Sequence, residues 1–421
     1  EDLLAGRPAF DEALRAACHA TGFFYLRAPR AHARRLSEAL AVPSSLLFRG
    51  VRKPSLCSTP SCFLIRPTSS DRRVELSRNA ACFFIGGPSP KDRRCIAGAM
   101  SLSAPPPLPQ SQFLPVDSLD IRLSPHFRGY IRLGAENTRG VVDFREQVEF
   151  GREEIATKEP PVPGRGLPPP ERLRGPNLWP AEGHPPGFRA RAEAFCEVMM
   201  DISWHLTRSL ARSLGMPSQG FDGFIGERPH WQMKIVRYPP DRALGGRGRP
   251  LGLRLPDVCA AGRRASGLQA EVQGSPGTWM DVPPLGEDHL VVNLGEMLML
   301  MTDGYYVATQ HRVRSDPQRS RVSVPFFFNP SLAAVVKPLP ADLLGRLPWE
   351  RDRSLADSRR ADERNAIFQD YGMNAFKSLF RSHPEVSARH HPDLELLPSG
   401  DVRLRGRPQS AAPGPVPHDR R

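Results

Sequence analysis

Cysteine is scarce and irregular in this chain, with seven residues in 421 and none spaced Cys-x-x-Cys. That argues against a disulfide framework and against a thiolate zinc site, and points to a reducing compartment, the cytoplasm by default. No apolar run approaches the length of a membrane span, and residues 1–30 lack the apolar core of a signal peptide. An initiator methionine is also missing, which suggests a trimmed or incomplete amino terminus. Aromatic residues make up only 8% of the chain and are not interleaved with the basic ones. Lys and Arg outnumber Asp and Glu by 58 to 45, for a net charge of +13. With the arginines scattered, this charge supports solubility and weak adhesion to polyanions and no nucleic-acid partner. What is plentiful is proline, at 46, and glycine, at 35, which lowers the fraction of the chain expected to be ordered. A hydrophobic content of 39% is enough for one large core or two modest ones.

Periodicity marks the ordered parts. Phe10, Leu14 and Cys18 recur at helical spacing, Gly22 then opens the strand FFYL, and residues 31–47 read as a second helix. From Phe188 to Met216 an apolar stripe (Phe188, Ala192, Phe195, Met199, Ile202, Leu206, Leu210, Leu214) predicts a long amphipathic helix. PHWQMKIVRYPP alternates as a strand that stops at Pro239. Two more strands are expected at His289–Asn293 and at Val322–Phe328, with a Leu/Met run and the turn Thr302-Asp303-Gly304 between them. A pleated strand puts Arg321 and Ser323 on one face, where a guanidinium fork and a hydroxyl make a good receptor for a carboxylate.

The text VVNLGEMLMLMTDGYYVATQHRV, followed by RSRVSVPFFFNP, resembles the isopenicillin-N-synthase-like iron(II)/2-oxoglutarate dioxygenases. The likeness covers residues 8–47 and 115–395, apart from 241–266. It implies a mainly β fold with flanking helices around a double-stranded β-helix, or jelly-roll, core. It also implies that His311 is an iron ligand, that Arg321 and Ser323 hold the distal carboxylate of 2-oxoglutarate, and that Tyr238 contacts the oxo acid. The reaction it implies is oxidation of a small organic substrate with dioxygen by a monomer, without nucleic acid or membrane. His126, Arg128 and Tyr130 are expected near the substrate mouth or bracing it.

Two stretches depart from that pattern. Residues 50–114 hold four of the cysteines and no lasting period, and read as a disordered insert. Between Tyr238 and Gly267 family members carry His-x-Asp, which completes a two-histidine, one-carboxylate iron face. Here the twenty-six residues 241–266 contain no histidine, while Arg and Gly contribute eleven, a composition that reads as a shifted frame or misjoined exon. Asp257 is the substitute ligand this segment offers, with Cys259 beside it; His230 and Asp241 stand further off. The expected organisation is an amino-terminal region 1–49, the insert 50–114, a helical support region 115–220 and an oxygenase core 221–335. Carboxy-terminal helices 336–395 and a disordered tail 396–421 complete it. His390-His391 is assigned no metal, because adjacent side chains on a helix do not converge.

Overall fold

Along the strand that begins at Trp231, side chains sort to two sides, and each side builds a different core. The computed structural model describes residues 2–40, 116–138, 141–157, 166–181, 185–240, 257–261, 267–286, 288–316, 318–350, 353–354 and 370–405, with the backbone alone at 137–138, 141–142 and 257–261. The expected insert 50–114 lies outside these residues, as does the segment 241–266 except for 257–261.

The strands are β1 (Phe23–Arg27), β2 (Gly129–Ile131), β3 (Asn137–Thr138), β4 (Val141–Val142), β5 (Glu146–Gly151), β6 (Trp231–Tyr238) and β7 (Asp257–Ala261). They continue as β8 (Leu268–Glu271), β9 (Trp279–Asp281), β10 (His289–Asn293), β11 (His311–Val313), β12 (Arg321–Phe328), β13 (Leu394–Leu396) and β14 (Val402–Leu404). The helices are α1 (Asp2–Ala5), α2 (Pro8–Ala20), α3 (Arg30–Leu40), α4 (Phe188–Ser213), α5 (Asp222–Ile225), α6 (Glu296–Met301), α7 (Ala341–Leu344), α8 (Tyr371–Ser382) and α9 (Pro384–His390). The long helix, the Trp231 strand and the strand pair around the Leu/Met run therefore stand where periodicity placed them. The Leu/Met run itself is helix α6, buried along almost its whole length.

Seven strands form one antiparallel sheet in the order β1-β10-β7-β12-β6-β5-β2, and three form another in the order β11-β8-β9. On β6, Met233 and Ile235 join the main core beneath α4, whereas Val236 and Tyr238 join a second cluster with Leu268, Ala270, Val282, Val291 and Val313. That second cluster takes residues from both sheets, so the small sheet lies over the face of the large one opposite α4. Each large apolar side chain fully buried in such a core contributes about 1.5–3 kcal/mol relative to exposure. Trp204 on α4 meets Phe328 of β12 edge-on, with centroids 5.7 Å apart.

The expected jelly roll is overturned by this topology. The two sheets share no strand pairing, and among the described residues neither is closed into a barrel or strongly curled. The architecture is a mixed α/β fold with several antiparallel sheets. The sequence between β6 and β7 shows one departure from strand-forming composition: Gly and Arg make up most of residues 242–249, a composition that disfavours a strand.

Two details tie the amino-terminal region to the large sheet. β1 pairs with β10 from Phe23↔Asn293 to Arg27↔His289. Gly22, at φ +58°, makes the turn from α2, and a Cβ there would sit 1.7 Å from the Val307 carbonyl oxygen. Only glycine fits that close approach. At the other end, β13 and β14 pair as a hairpin that reaches into the stretch the sequence reading gave to the tail.

Candidate active site

Arg321 and Ser323 sit two positions apart on β12 and share a face, with Nη1 of Arg321 donating to Ser323 Oγ at 3.1 Å. Tyr238 is directly opposite Arg321 on β6, and the guanidinium lies 5.4 Å from its ring centroid. Arg321 is 4% exposed, its Nε has no acceptor, and no carboxylate pairs with it among the described residues. A buried guanidinium without an anion is strongly unfavourable, so this arrangement fits an incoming carboxylate.

His311 enters the space between the sheets from the other side. It pairs with Ala270 and shares a face with Val313, which belongs to the intersheet cluster. Its ring lies 5.8 Å from that of Phe23, contributed by β1. Burial lowers its pKa, which favours neutral imidazole, and Nδ1 is 3.3 Å from the Thr309 carbonyl oxygen. A proton on Nδ1 then leaves the Nε2 lone pair available, the form in which histidine binds metals. Thr309 is itself fixed, its hydroxyl donating to Thr21 O and accepting from Gln273 Nε2. Asp257 lies opposite Asn293 and Phe327 by backbone register.

The structure thus joins Arg321, Ser323 and Tyr238, and brings His311 into the same intersheet layer. It does not give His311 two partners: the one group of three potential metal-ligand side chains among the described residues is Glu136, Glu149 and His383. That set has two carboxylates and one imidazole, and sequence reasoning missed it. Lys234 pairs with Glu149, and Arg145 with Glu136. Burial pushes the Glu136 carboxyl up, but Lys234 and Arg145 outweigh it and hold the group well below the ordinary carboxylate range.

Other residues brace the fold. Arg128 donates to the carbonyls of Arg152, Gly175 and Leu173, and burial brings its pKa down to about 10. His126 Nδ1 meets Arg172 O at 2.9 Å, and the Tyr130 hydroxyl donates to Glu146 at 2.6 Å. Cys18 and Cys196 are buried, and desolvation raises both thiols. His391 Nε2 meets Pro125 O at 2.9 Å while Nδ1 faces Arg172 Nη1 at 3.4 Å. Burial, then the neighbouring guanidinium, lowers its pKa to about 4. Because the folded value lies below the unfolded one of about 6.5, neutral His391 contributes stability that is present above pH 6.5. That contribution fades as the pH falls towards 4, on the order of 3 kcal/mol in all. Urea unfolding between pH 7 and 4 is expected to show this loss, and a smaller one for His391→Gln; parallel profiles would refute the assignment.

The 2OG-Fe(II) oxygenase superfamily model matches residues 259–330, which contain His311, Arg321 and Ser323. A 2-oxoglutarate-dependent dioxygenase from Dothideomycetidae sp. (strain 11243) is 31% identical over 297 residues, covering 66% of this chain and 76% of the relative. The chain belongs to the 2OG-Fe(II) oxygenase superfamily. Another relative, a homoarginine-6-hydroxylase of Oryza sativa subsp. japonica, is 29% identical over 239 residues, 53% of this chain and 67% of that protein. Among solved structures, a dioxygenase for auxin oxidation in rice has a TM-score of 0.46 and 16% identity, over 87% of this chain and 93% of that one. Within this oxygenase superfamily member, no described helix is long and apolar enough to cross a membrane.

Proposed function

We propose that the protein is a 2-oxoglutarate-dependent oxidoreductase of a small organic substrate, with dioxygen as co-substrate. The observation that carries this reading is the buried Arg321, paired with Ser323, stacked over Tyr238 and lacking a carboxylate among the described residues. Arg321 and Ser323 bind the distal carboxylate of 2-oxoglutarate, and Tyr238 limits where the oxo acid can lie. The apolar layer of Val236, Val291, Leu268 and Val313 keeps water from the space they share with His311. Iron(II), as the family uses it, would take His311 as one ligand. The described side chains do not supply the other two, and residues 241–266 contain no histidine with which to complete the family's iron face. Asp257 is the first substitute to consider and Cys259 the second.

That mismatch favours a second reading, a binding protein that holds 2-oxoglutarate without turning it over. Calorimetric titration with 2-oxoglutarate, with and without added metal, tests the receptor common to both. Arg321→Lys keeps the charge and loses the fork, and is expected to weaken binding about tenfold, a loss near 1.4 kcal/mol. Ser323→Ala removes one hydrogen bond and should weaken it by about 1 kcal/mol. Unchanged affinity in Arg321→Lys would remove this residue from the site.

A further inference from the structure

Glu136, Glu149 and His383 come from the segment after β2, from β5 and from the turn between α8 and α9, and are 6%, 1% and 5% exposed. A ligating atom of each lies within 4.8 Å of the others. Their polar neighbours do not satisfy the group completely. Lys234 meets Glu149 Oε1, while Arg145 donates to Glu136 Oε2 at 2.7 Å. The Gln147 amide nitrogen donates to Glu136 Oε2 at 3.1 Å and to Glu149 Oε1 at 2.7 Å.

Two acceptors are left over. Glu149 Oε2 and Gln147 Oε1 are buried with no donor. Gln147 is wholly buried, and turning its amide offers no remedy, because its oxygen would then face two carboxylate oxygens. A buried acceptor left unpaired costs about 1–3 kcal/mol, and more when it is charged. The two carboxylates are met by Lys234 and Arg145, and Arg145 divides its charge between Glu136 and Asp143, which lies 3.3 Å away.

We propose that Glu136, Glu149 and His383 hold a divalent metal ion, separate from any metal at His311, that pins the turn between α8 and α9 to β5. The donors are hard oxygens and one imidazole, a set that suits Mn(II), Fe(II) or Zn(II) and does not demand the near-ideal octahedron of Mg(II). The ion takes the free oxygen of Glu149. The site is distinct from His311, which stands on the small sheet and belongs to no part of this group, although Gln147 and Glu149 share the face of the large sheet that carries Val236 and Tyr238. The competing occupant is a single buried water, which would also satisfy the two acceptors.

The test uses the full chain, stripped with chelator and titrated with Mn(II), with free Mn(II) read by electron paramagnetic resonance. The protein and its His311→Ala variant are each expected to bind one equivalent at micromolar concentration, with a higher melting temperature when loaded. His383→Ala and Glu149→Gln should bind at least tenfold more weakly and lose the thermal shift. Should these variants fail to fold, pulsed measurements on Mn(II)-loaded His311→Ala must still show nitrogen coupling from an imidazole. No Mn(II) binding by the protein, unchanged binding in both variants, or absence of that coupling would each overturn the proposal and leave water as the occupant.

Discussion

Reconstituted with iron(II) without oxygen and then supplied with dioxygen, the chain is expected to form little more succinate from 2-oxoglutarate than its His311→Ala variant. His311 offers one imidazole, and affinity for iron(II) is set by the number and geometry of ligands rather than by intrinsic preference. A missing carboxylate also removes the negative charge that would offset the ion in an apolar layer. Iron retained equally by the chain and by His311→Ala belongs elsewhere, so the informative quantity is the difference between them, which should be well below one equivalent at micromolar protein. A chimera whose residues 241–266 are replaced by a family-like strand carrying His-x-Asp should add one equivalent and decarboxylate 2-oxoglutarate. Stoichiometric, His311-dependent binding with succinate production by the unaltered chain would refute this, and Asp257→Ala would then be the next variant to assay.

Lys234→Met in metal-free protein should lower the free energy of unfolding by about 3–5 kcal/mol, the usual effect of leaving one member of a buried pair without its partner. The Lys234 and Glu149 side chains are only 6% and 1% exposed, and Lys234 also lies 5.9 Å from the Phe327 ring centroid. Lys234 is the foremost cation holding the Glu136 carboxyl down. A group depressed in this way contributes stability that is present above the unfolded carboxylate pKa of about 4.3 and is lost as the pH falls through its folded value. Acid unfolding of Lys234→Met should therefore begin at higher pH than in the parent. The double variant Lys234→Met/Glu149→Leu should recover much of the loss, since both charges are then gone. A single-variant loss under about 1 kcal/mol in urea titration would mean that water reaches the pair.

What sequence alone revealed follows from the range over which each signal acts. α4, β6, β10 and β12 were legible because a stripe or an alternation is complete within one segment. The pair Arg321 and Ser323 was legible for the same reason, two residues on one strand face. The jelly roll was an inference from likeness, and the described strands pair instead as separate open sheets. Glu136, Glu149 and His383 were out of reach because they stem from a loop, a strand and a helix turn, and no spacing links them. One hint was present: in EQVEFG, Gln147 and Glu149 alternate with Val148 and Phe150, yet every residue of that strand is buried. A polar row on a strand with no exposed face signals a buried network, and burial is what periodicity could not supply.

β1 has a kinetic consequence. Phe23 of that strand closes against His311, and the Thr21 carbonyl is held by the Thr309 hydroxyl across 288 residues of chain. Closing so long a loop adds little to equilibrium cost but delays contacts in time. The amino-terminal strand must reach residues 309–311 before the wall beside His311 exists, and by its longer contact separation this wall is expected to form after β6 has paired with β12. Partly refolded chains can therefore hold β6 against β12, with the carboxylate receptor in place, while the space beside it still stands open to water.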